Sequence, residues 1–292
     1  MTTTTTMKRG SVVVGVDGSA GGDAALEWAV RYAVSRRRPL LVVNGAGDPS
    51  HSADFIGLAE ARRLFQEDAR RVTDHALGVA RELAPDLDIE VTTPLQDARD
   101  ALLDRAPHAS ILVVGTRGRG PVRALLLGSV STAVAAHASC PVAVVRPAER
   151  DTDETRAAVV VGTDGGPAST EALEFGFELA AMEGRPLQVV HTWSALDTFV
   201  DPASYDQRLQ RIEEHERILA ESLVGYREKY PDVTVTRHMP DGDAAQTLVD
   251  MSQDAAVVVT GSRGRTGLKA VLGSVSRDVV ERAHSTVVVV RP

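Results

Sequence analysis

Residues 115–129 read GTRGRGPVRALLLGS and connect two elements of predicted secondary structure. Before them, Ile111–Val114 is an apolar run typical of a short buried strand. After them, the pattern of Val130–Ala138 predicts a helix with Ser129 at its N-cap, and a helix N-terminus favours phosphate. The connection holds no acidic residue, three arginines, and four glycines that can adopt positive φ: Arg117, Arg119, Arg123, Gly115, Gly118, Gly120 and Gly128.

The same arrangement returns near the C-terminus as residues 261–274, GSRGRTGLKAVLGS, which follow the valines Val257–Val259. Two copies in the same strand–loop–helix setting favour anion binding over a plain connection with helix caps. Neither copy ends in the Gly-Lys-Ser or Gly-Lys-Thr of a Walker A loop. The basic residues of the second copy are Arg263, Arg265 and Lys269.

Length and composition limit the class of protein. A chain of 292 residues predicts two domains of roughly 150 residues. The net charge of −8 argues against a general nucleic-acid or membrane binder. The single cysteine, Cys140, agrees with a reducing cytoplasm, so we expect a cytoplasmic protein. No apolar stretch approaches the roughly 20 residues that a membrane span needs.

Strand and helix patterns alternate along the chain and then restart, which predicts two tandem doubly wound five-stranded parallel-sheet domains. Right-handed crossovers favour the strand order 3-2-1-4-5. We expect a disordered tail at 1–10, domains at 11–147 and 157–292, and a linker at 148–156. The predicted strands are Ser11–Asp17, Leu40–Asn44, Ile89–Thr93, Ile111–Val114, Val142–Val145, Ala157–Asp164, Leu187–His191, Val233–Thr236, Ala256–Thr260 and Val287–Val290.

Ligands of such sheets bind where the strand order reverses, beyond the carboxyl ends of the strands. In the order 3-2-1-4-5 that point lies between the first and fourth strands, so Asp17 faces the loop of residues 115–129. Asp164 faces the loop of residues 261–274 in the same way. Each aspartate has two interpretations, a contact to a base or ribose, or a turn or cap residue after the strand.

These residues resemble the universal stress protein family. Gly115, Gly118, Gly128 and Ser129 match its signature G-x2-G-x9-G-[ST]. Residues 15–19, GVDGS, are similar to its opening element, and residues 140–145, CPVAVV, to its closing strand. The resemblance covers both halves and is closest to the tandem-domain, ATP-binding type, which implies an adenine-nucleotide alpha hydrolase-like fold.

The resemblance also implies a binding site in each half. The residues after the first and second strands lie against the base and ribose, and the glycine-rich loop holds the phosphates. The residues implied in the first half are Gly15, Asp17, Gly45, Gly115, Arg117, Gly118, Arg119, Gly128, Ser129, Val130 and Ser131. Those in the second half are Gly162, Asp164, Thr192, Gly261, Arg263, Gly264, Arg265, Gly273, Ser274, Val275 and Ser276.

The implied function is a nucleotide-dependent regulatory or sensor protein in stress or growth arrest, with ATP as cofactor, with or without Mg²⁺. The implied assembly is a homodimer or a pseudo-dimeric tandem. The sequence contains no recognisable nucleophile–base–orienter set, and no metal-type cluster lies beside His137 or His284, so we expect no catalytic residues and no metal ligands. The alternatives are a slow ATP-hydrolysing or nucleotidyl-transferring enzyme of the same fold, and a nucleotide-free dimer scaffold.

The second loop departs from the family pattern. Eight residues separate Gly264 from Gly273, whereas nine separate Gly118 from Gly128. The shorter loop must tighten its turn or draw the following helix toward the fourth strand, so we expect the second site to hold the terminal phosphates less tightly.

Overall fold

The computed structural model describes residues 7–50, 57–116, 127–147, 158–193, 205–262 and 272–291. The chain divides into two compact units, Met1–Pro147 and Ala148–Pro292. The predicted linker, residues 148–156, lies outside the described residues. Part of the predicted N-terminal tail belongs to the first unit, because the Gly10 N–H donates to the His108 carbonyl (2.7 Å) and the Lys8 ammonium pairs with Asp88 (2.5 Å).

The first unit alternates strands with helices. Its described strands are β1 (Ser11–Gly15), β2 (Leu40–Val43), β3 (Ile89–Thr92), β4 (Ala109–Gly115) and β5 (Val142–Val145). Its described helices are α1 (Ala20–Arg36), α2 (Leu58–Leu83), α3 (Ala98–Leu103) and α4 (Ser129–His137), with a short 3₁₀ helix at Ala106–His108. The strands pair in parallel in the order β3-β2-β1-β4-β5.

The second unit repeats this plan. Its described strands are β6 (Ala158–Gly162), β7 (Leu187–Val190), β8 (Val235–His238), β9 (Ala255–Gly261) and β10 (Thr286–Val290). Its described helices are α5 (Pro167–Glu183), α6 (Tyr205–Ser222), α7 (Tyr226–Lys229), α8 (Ala244–Met251) and α9 (Ser274–Arg282). Parallel pairing gives the order β8-β7-β6-β9-β10, so the predicted order 3-2-1-4-5 is confirmed in each unit.

Burial explains why the central strands were predictable. Val12, Val13 and Val14 of β1 are completely buried, although successive side chains of a strand point to opposite faces. Both faces of a parallel sheet are covered, so its strands appear in sequence as continuous apolar runs. The edge strand β3 is half-buried along its whole length, and its sequence alternates instead.

The edge strand β8 lies two residues later than the sequence predicted. The ladder with β7 begins at the pair Leu187–Val235 and ends at Val190–His238. Val233, at the start of the predicted strand, donates its N–H to the Tyr230 carbonyl in a turn (3.2 Å). An edge strand with exposed polar side chains has a weak apolar pattern, so only the pairing fixes its position.

Three stacked aromatic rings attach α7 to α5. The Phe177 ring is fully buried, with its centroid 4.5 Å from that of Tyr226 and 5.5 Å from that of Tyr230. The Tyr230 hydroxyl donates to Glu174 (2.6 Å), and burial together with this hydrogen bond raises the pKa of Tyr230 to about 12. None of the four residues of α7 is buried, and the helix is also joined to α5 by the Lys229–Glu174 ion pair and by the Tyr226 hydroxyl, which donates to the Thr170 carbonyl (3.3 Å).

Candidate functional site

The loop after β1 places Asp17 at the N-terminus of α1. Its carboxylate Oδ1 accepts hydrogen bonds from the N–H and the hydroxyl of Ser19, at 3.0 and 2.6 Å. The Ser19 oxygen accepts in turn from the Gly22 N–H (3.1 Å) and caps the helix. Gly18 lies between them at φ 74°, a left-handed conformation that suits glycine. Asp17 therefore orders a turn and a cap through Oδ1, in the place where a ligand contact was also predicted.

Asp164 has the equivalent place after β6 and a different set of partners. Its Oδ1 accepts from the Gly166 N–H (2.9 Å) and from the hydroxyl of Ser169. The Asp164 N–H donates to the same hydroxyl oxygen at 3.0 Å, and Ser169 is buried. In both units the aspartate lies at the carboxyl end of the first strand, and its Oδ1 accepts the hydrogen bonds that order the following turn.

Backbone hydrogen bonds close the glycine-rich loops in the same way in both units. The Gly128 N–H donates to the Thr116 carbonyl at 2.7 Å. The Gly273 N–H donates to the Ser262 carbonyl at 2.9 Å. The one-residue difference in loop length therefore leaves the loop ends in the same relation, and the shorter loop does not draw α9 toward β9.

Two buried serines fasten the helices that follow the loops. The Ser131 hydroxyl, in the first turn of α4, donates to the carbonyl of Gly115 at the end of β4 (2.5 Å). The Ser276 hydroxyl, in the first turn of α9, donates to the carbonyl of Gly261 at the same distance. Both serines were predicted as ligand residues, and the structure gives their hydroxyls a packing role at the strand ends.

The predicted N-cap of α4 is displaced by one residue. The N-cap is Gly128, with φ −75° and ψ 156°, and no side chain caps the helix. Ser129 is the first helical residue, and it is exposed. The first hydrogen bond of the helix ladder joins the Thr132 N–H to the Gly128 carbonyl (3.0 Å), so the N–H groups of the three residues before Thr132 make no ladder bond.

The second unit has the same uncapped helix start. Gly273 is the N-cap of α9, without a side-chain hydrogen bond, and Ser274 follows it as an exposed residue. The Arg277 N–H makes the first ladder bond, to the Gly273 carbonyl at 2.9 Å. Unpaired N–H groups and the helix dipole together make each helix start a favourable position for an anion.

Two predicted ligand glycines, Gly115 and Gly45, lie so close to backbone atoms that a side chain would not fit, and Gly15 has a tight contact with a flexible side chain. A Cβ on Gly115 would lie 2.5 Å from the carbonyl carbon of Gly21 in α1, and a Cβ on Gly45 would lie 2.5 Å from the Cα of Ala98 in α3. A Cβ on Gly15 would lie 3.0 Å from the Leu102 side chain. Neither Gly115 nor Gly128 has the positive φ that the sequence suggested. At Gly115 the close approach is that of a helix backbone, which packs on the strand end.

The strands beside β1 and β6 end differently in the two units. After β2, the buried Asn44 donates its side-chain N–H to the Val16 carbonyl (2.7 Å), and Gly45 follows. After β7, the buried His191 makes the equivalent contact to the Thr163 carbonyl (2.9 Å), and Thr192 follows. From sequence, Asn44 and His191 were predicted only as the last residues of their strands. Each directly precedes a predicted ligand residue, and this shared position could have marked both as site residues.

The predicted site residues collect at one edge of each sheet. In the first unit, Gly115 touches the N-terminal turn of α1, so the Asp17 loop and the start of α4 lie at the same carboxyl edge, at the β1–β4 switch point. The described residues contain no group of three or more His, Cys, Asp or Glu side chains that could hold a metal ion. The predicted phosphate-binding residues Arg117, Gly118, Arg119, Arg263, Gly264 and Arg265 lie outside the described residues.

Comparison with known proteins gives similarity along nearly the whole chain. The model of the "Universal stress protein family" matches residues 8–146 and 156–291. The chain is 36% identical to the universal stress protein Rv2005c of Mycobacterium tuberculosis, over 97% of this chain and 98% of the relative. It is 34% identical to a universal stress protein of Mycolicibacterium smegmatis, over 96% and 97% of the two chains.

A solved structure confirms the fold independently. The crystal structure of a universal stress protein from Archaeoglobus fulgidus superposes with a TM-score of 0.66, at 20% identity over 97% of both chains. Among the helices that the structure describes here, none is both long enough and apolar enough to cross a membrane.

Proposed function

The chain belongs to the universal stress protein family, with two family domains in tandem, and we propose that it is an ATP-binding regulatory protein of stress or growth arrest. Each unit binds one adenine nucleotide at its own β1–β4 or β6–β9 edge. The cytoplasmic location and the homodimer or pseudo-dimeric tandem belong to the same proposal.

The observation that carries the proposal is the repeated, uncapped helix start. Gly128 and Gly273 end loops that are closed identically, and each begins a nine-residue helix without a side-chain cap. Polar groups at a helix start are normally satisfied by a cap, water or a ligand. A phosphate fits because it would accept from the N–H groups before the first ladder bond, beside basic loop residues of the sequence.

The other predicted site residues at this edge of each sheet suit the ribose and the base of a nucleotide. Asp17 and Asp164 lie at the carboxyl ends of β1 and β6, and carboxylate oxygens accept hydrogen bonds from groups such as ribose hydroxyls. Gly45 in the first unit and Thr192 in the second follow the neighbouring strand and border the same edge. We therefore assign the base and ribose to the β1–β2 side of the edge and the phosphates to the start of α4.

Calorimetric titration of the whole chain with ATP tests the function. We expect two ATP per chain for the wild type, one each for Gly118→Glu and Gly264→Glu, and none for the double variant, because glutamate adds bulk and negative charge to the phosphate loop. Gly78→Glu is the matched control, since Gly78 is exposed on α2 with open space around it, and it should keep two ATP. Undiminished stoichiometry in the double variant would exclude these loops as the binding site.

The same single variants test the difference between the two sites. The helix starts are held alike, so the missing residue of the second loop acts only within that loop. We expect similar AMP affinities at the two sites and an ATP affinity lower by about tenfold at the second, equivalent to one lost charge-assisted hydrogen bond. Equal ATP-to-AMP preferences at both sites would show that loop length is irrelevant.

Turnover with excess ATP separates the regulatory protein from an enzyme. We expect bound nucleotide to be retained, with no steady release of ADP or AMP over many turnovers. Steady product release that disappears in the double variant would instead support the hydrolase or nucleotidyl-transferase alternative.

A further inference from the structure

Two histidines join the end of β7 to the middle of α6 in the second unit. His191 is 4% exposed, and its Nδ1 lies 2.9 Å from the Thr163 carbonyl oxygen. Its Nε2 lies 2.8 Å from Nδ1 of His215, which belongs to α6. The Trp193 ring lies 6.2 Å from the His215 ring, centroid to centroid. The first unit has Asn44 in place of His191, and an amide does not take up a proton in this pH range.

The hydrogen-bond partners fix where the protons are. A carbonyl oxygen only accepts, so Nδ1 of His191 carries a proton and donates to Thr163. In the neutral pair, Nε2 of His191 is then the acceptor, and Nδ1–H of His215 donates to it. One further proton on the other nitrogen of His215 keeps this bond and makes it charge-assisted, about twice as strong as a neutral one. A second further proton would set N–H against N–H and break the bond.

The pair contacts the loop that carries Asp164, through the bond from His191 to the Thr163 carbonyl. Thr163 directly precedes that aspartate, and α6 packs on the same loop, because a Cβ on Gly165 would overlap the Ile218 side chain of α6. We propose that the His191–His215 pair is a proton-responsive clamp that fastens α6 to the loop of residues 163–166 and tightens nucleotide binding at the second site under mild acid. The nucleotide part rests on the proposed function, whereas the clamp itself does not.

Charged groups of both signs lie on the elements around the pair. The loop contributes Asp164, and the backbone carbonyl of His238 in β8 accepts from the His191 N–H (2.9 Å). A groove between α6 and β8 is lined by acidic and basic side chains, and Arg211 precedes His215 by one turn of α6. The groove's charged residues are Glu213, Glu216, Arg217 and Arg237.

Tryptophan fluorescence tests the clamp without nucleotide. The chain has two tryptophans, so a Trp28→Phe background leaves Trp193, beside His215, as the only reporter. We expect its emission to fall between pH 8 and pH 5, the range in which histidine becomes charged, because an imidazolium quenches a neighbouring indole. His215→Gln should remove the transition, whereas His191→Asn, which copies the first unit, keeps the His215 imidazole and should move the midpoint to lower pH, because the charged form loses its hydrogen-bond acceptor. A flat titration in the parent, or a transition unchanged in both variants, would overturn the clamp.

Hydrogen exchange of the two corresponding loops gives a second readout. It is measured on the wild type, so it does not depend on whether the histidine variants fold. Between pH 8 and pH 6, protection of residues 163–166 should rise relative to residues 16–19, which serve as the internal standard for the intrinsic pH dependence of exchange. A constant ratio in the wild type would overturn the proposal.

ATP titration at pH 8 and pH 6 tests the link to the second site. With the first site blocked by Gly118→Glu, we expect ATP affinity to rise about fivefold more than with the second site blocked by Gly264→Glu, a modest coupling. Equal pH dependence at the two sites would overturn the link. If no ATP binds at either pH, the proposed function fails, and the fluorescence and exchange measurements still decide the clamp.

Discussion

Replacing Gly115 with alanine is expected to destabilise the first unit by about 2–3 kcal/mol, the upper part of the usual range for overpacking. The added Cβ would lie 2.5 Å from the carbonyl carbon of Gly21 and would also overlap the Gly21 oxygen. These are backbone atoms of α1, so no side-chain rotation relieves the contact. Either α1 moves away from β4 or the end of β4 moves, and both changes disturb the edge that carries Asp17.

Urea unfolding in a Trp193→Phe background measures this effect, because Trp28 then reports on the first unit alone. Trp28 is buried in α1 and stacks on Tyr32 with centroids 5.0 Å apart. Gly78→Ala is the matched control. Gly78 lies within α2 with open space around it, so alanine should stabilise that helix by roughly 0.5–1 kcal/mol. Equal unfolding free energies for Gly115→Ala and the parent would contradict the close packing of α1 on β4.

Replacing Phe177 with alanine is expected to destabilise the second unit by about 3–5 kcal/mol, as for other fully buried aromatic residues. The substitution leaves a cavity at a fully buried position and removes the ring on which Tyr226 and Tyr230 stack. Since α7 buries none of its own residues, it should separate from α5 before the unit as a whole unfolds. Unfolding followed by Trp193 fluorescence, in a Trp28→Phe background, reports on this unit.

Two control variants distinguish the contribution of the ring stack to stability from that of neighbouring groups. Tyr230→Phe keeps the ring and removes the hydroxyl that donates to Glu174, so it should cost about 1 kcal/mol. Val224→Ala changes a side chain that is 77% exposed and should alter stability by less than about 0.5 kcal/mol. A Phe177→Ala variant no less stable than Tyr230→Phe would show that the stack contributes little.

The strand order and the tandem plan could be predicted from the sequence alone. Strands buried on both faces appear as apolar runs such as Val12–Val14, and right-handed crossovers leave few ways to order five of them. The helix α2 (Leu58–Leu83) is also visible in the sequence, because a long amphipathic helix has a strong period. At the edge strand β8 the pattern was weak, and the prediction was displaced by two residues.

The packing contacts of the residues at the candidate site could be seen only once the chain was folded. Gly115 and Gly45 were interpreted as positions where backbone approaches a ligand, and the structure shows a helix packed against each of them. Ser131 was interpreted as a ligand residue, and its hydroxyl is bonded to the end of β4. His191 and His215 are 24 residues apart in the chain, and no local pattern predicts their hydrogen bond. Such contacts depend on how the helices pack on the sheet. Packing joins segments that are distant in the sequence, whereas periodicity describes only a single segment.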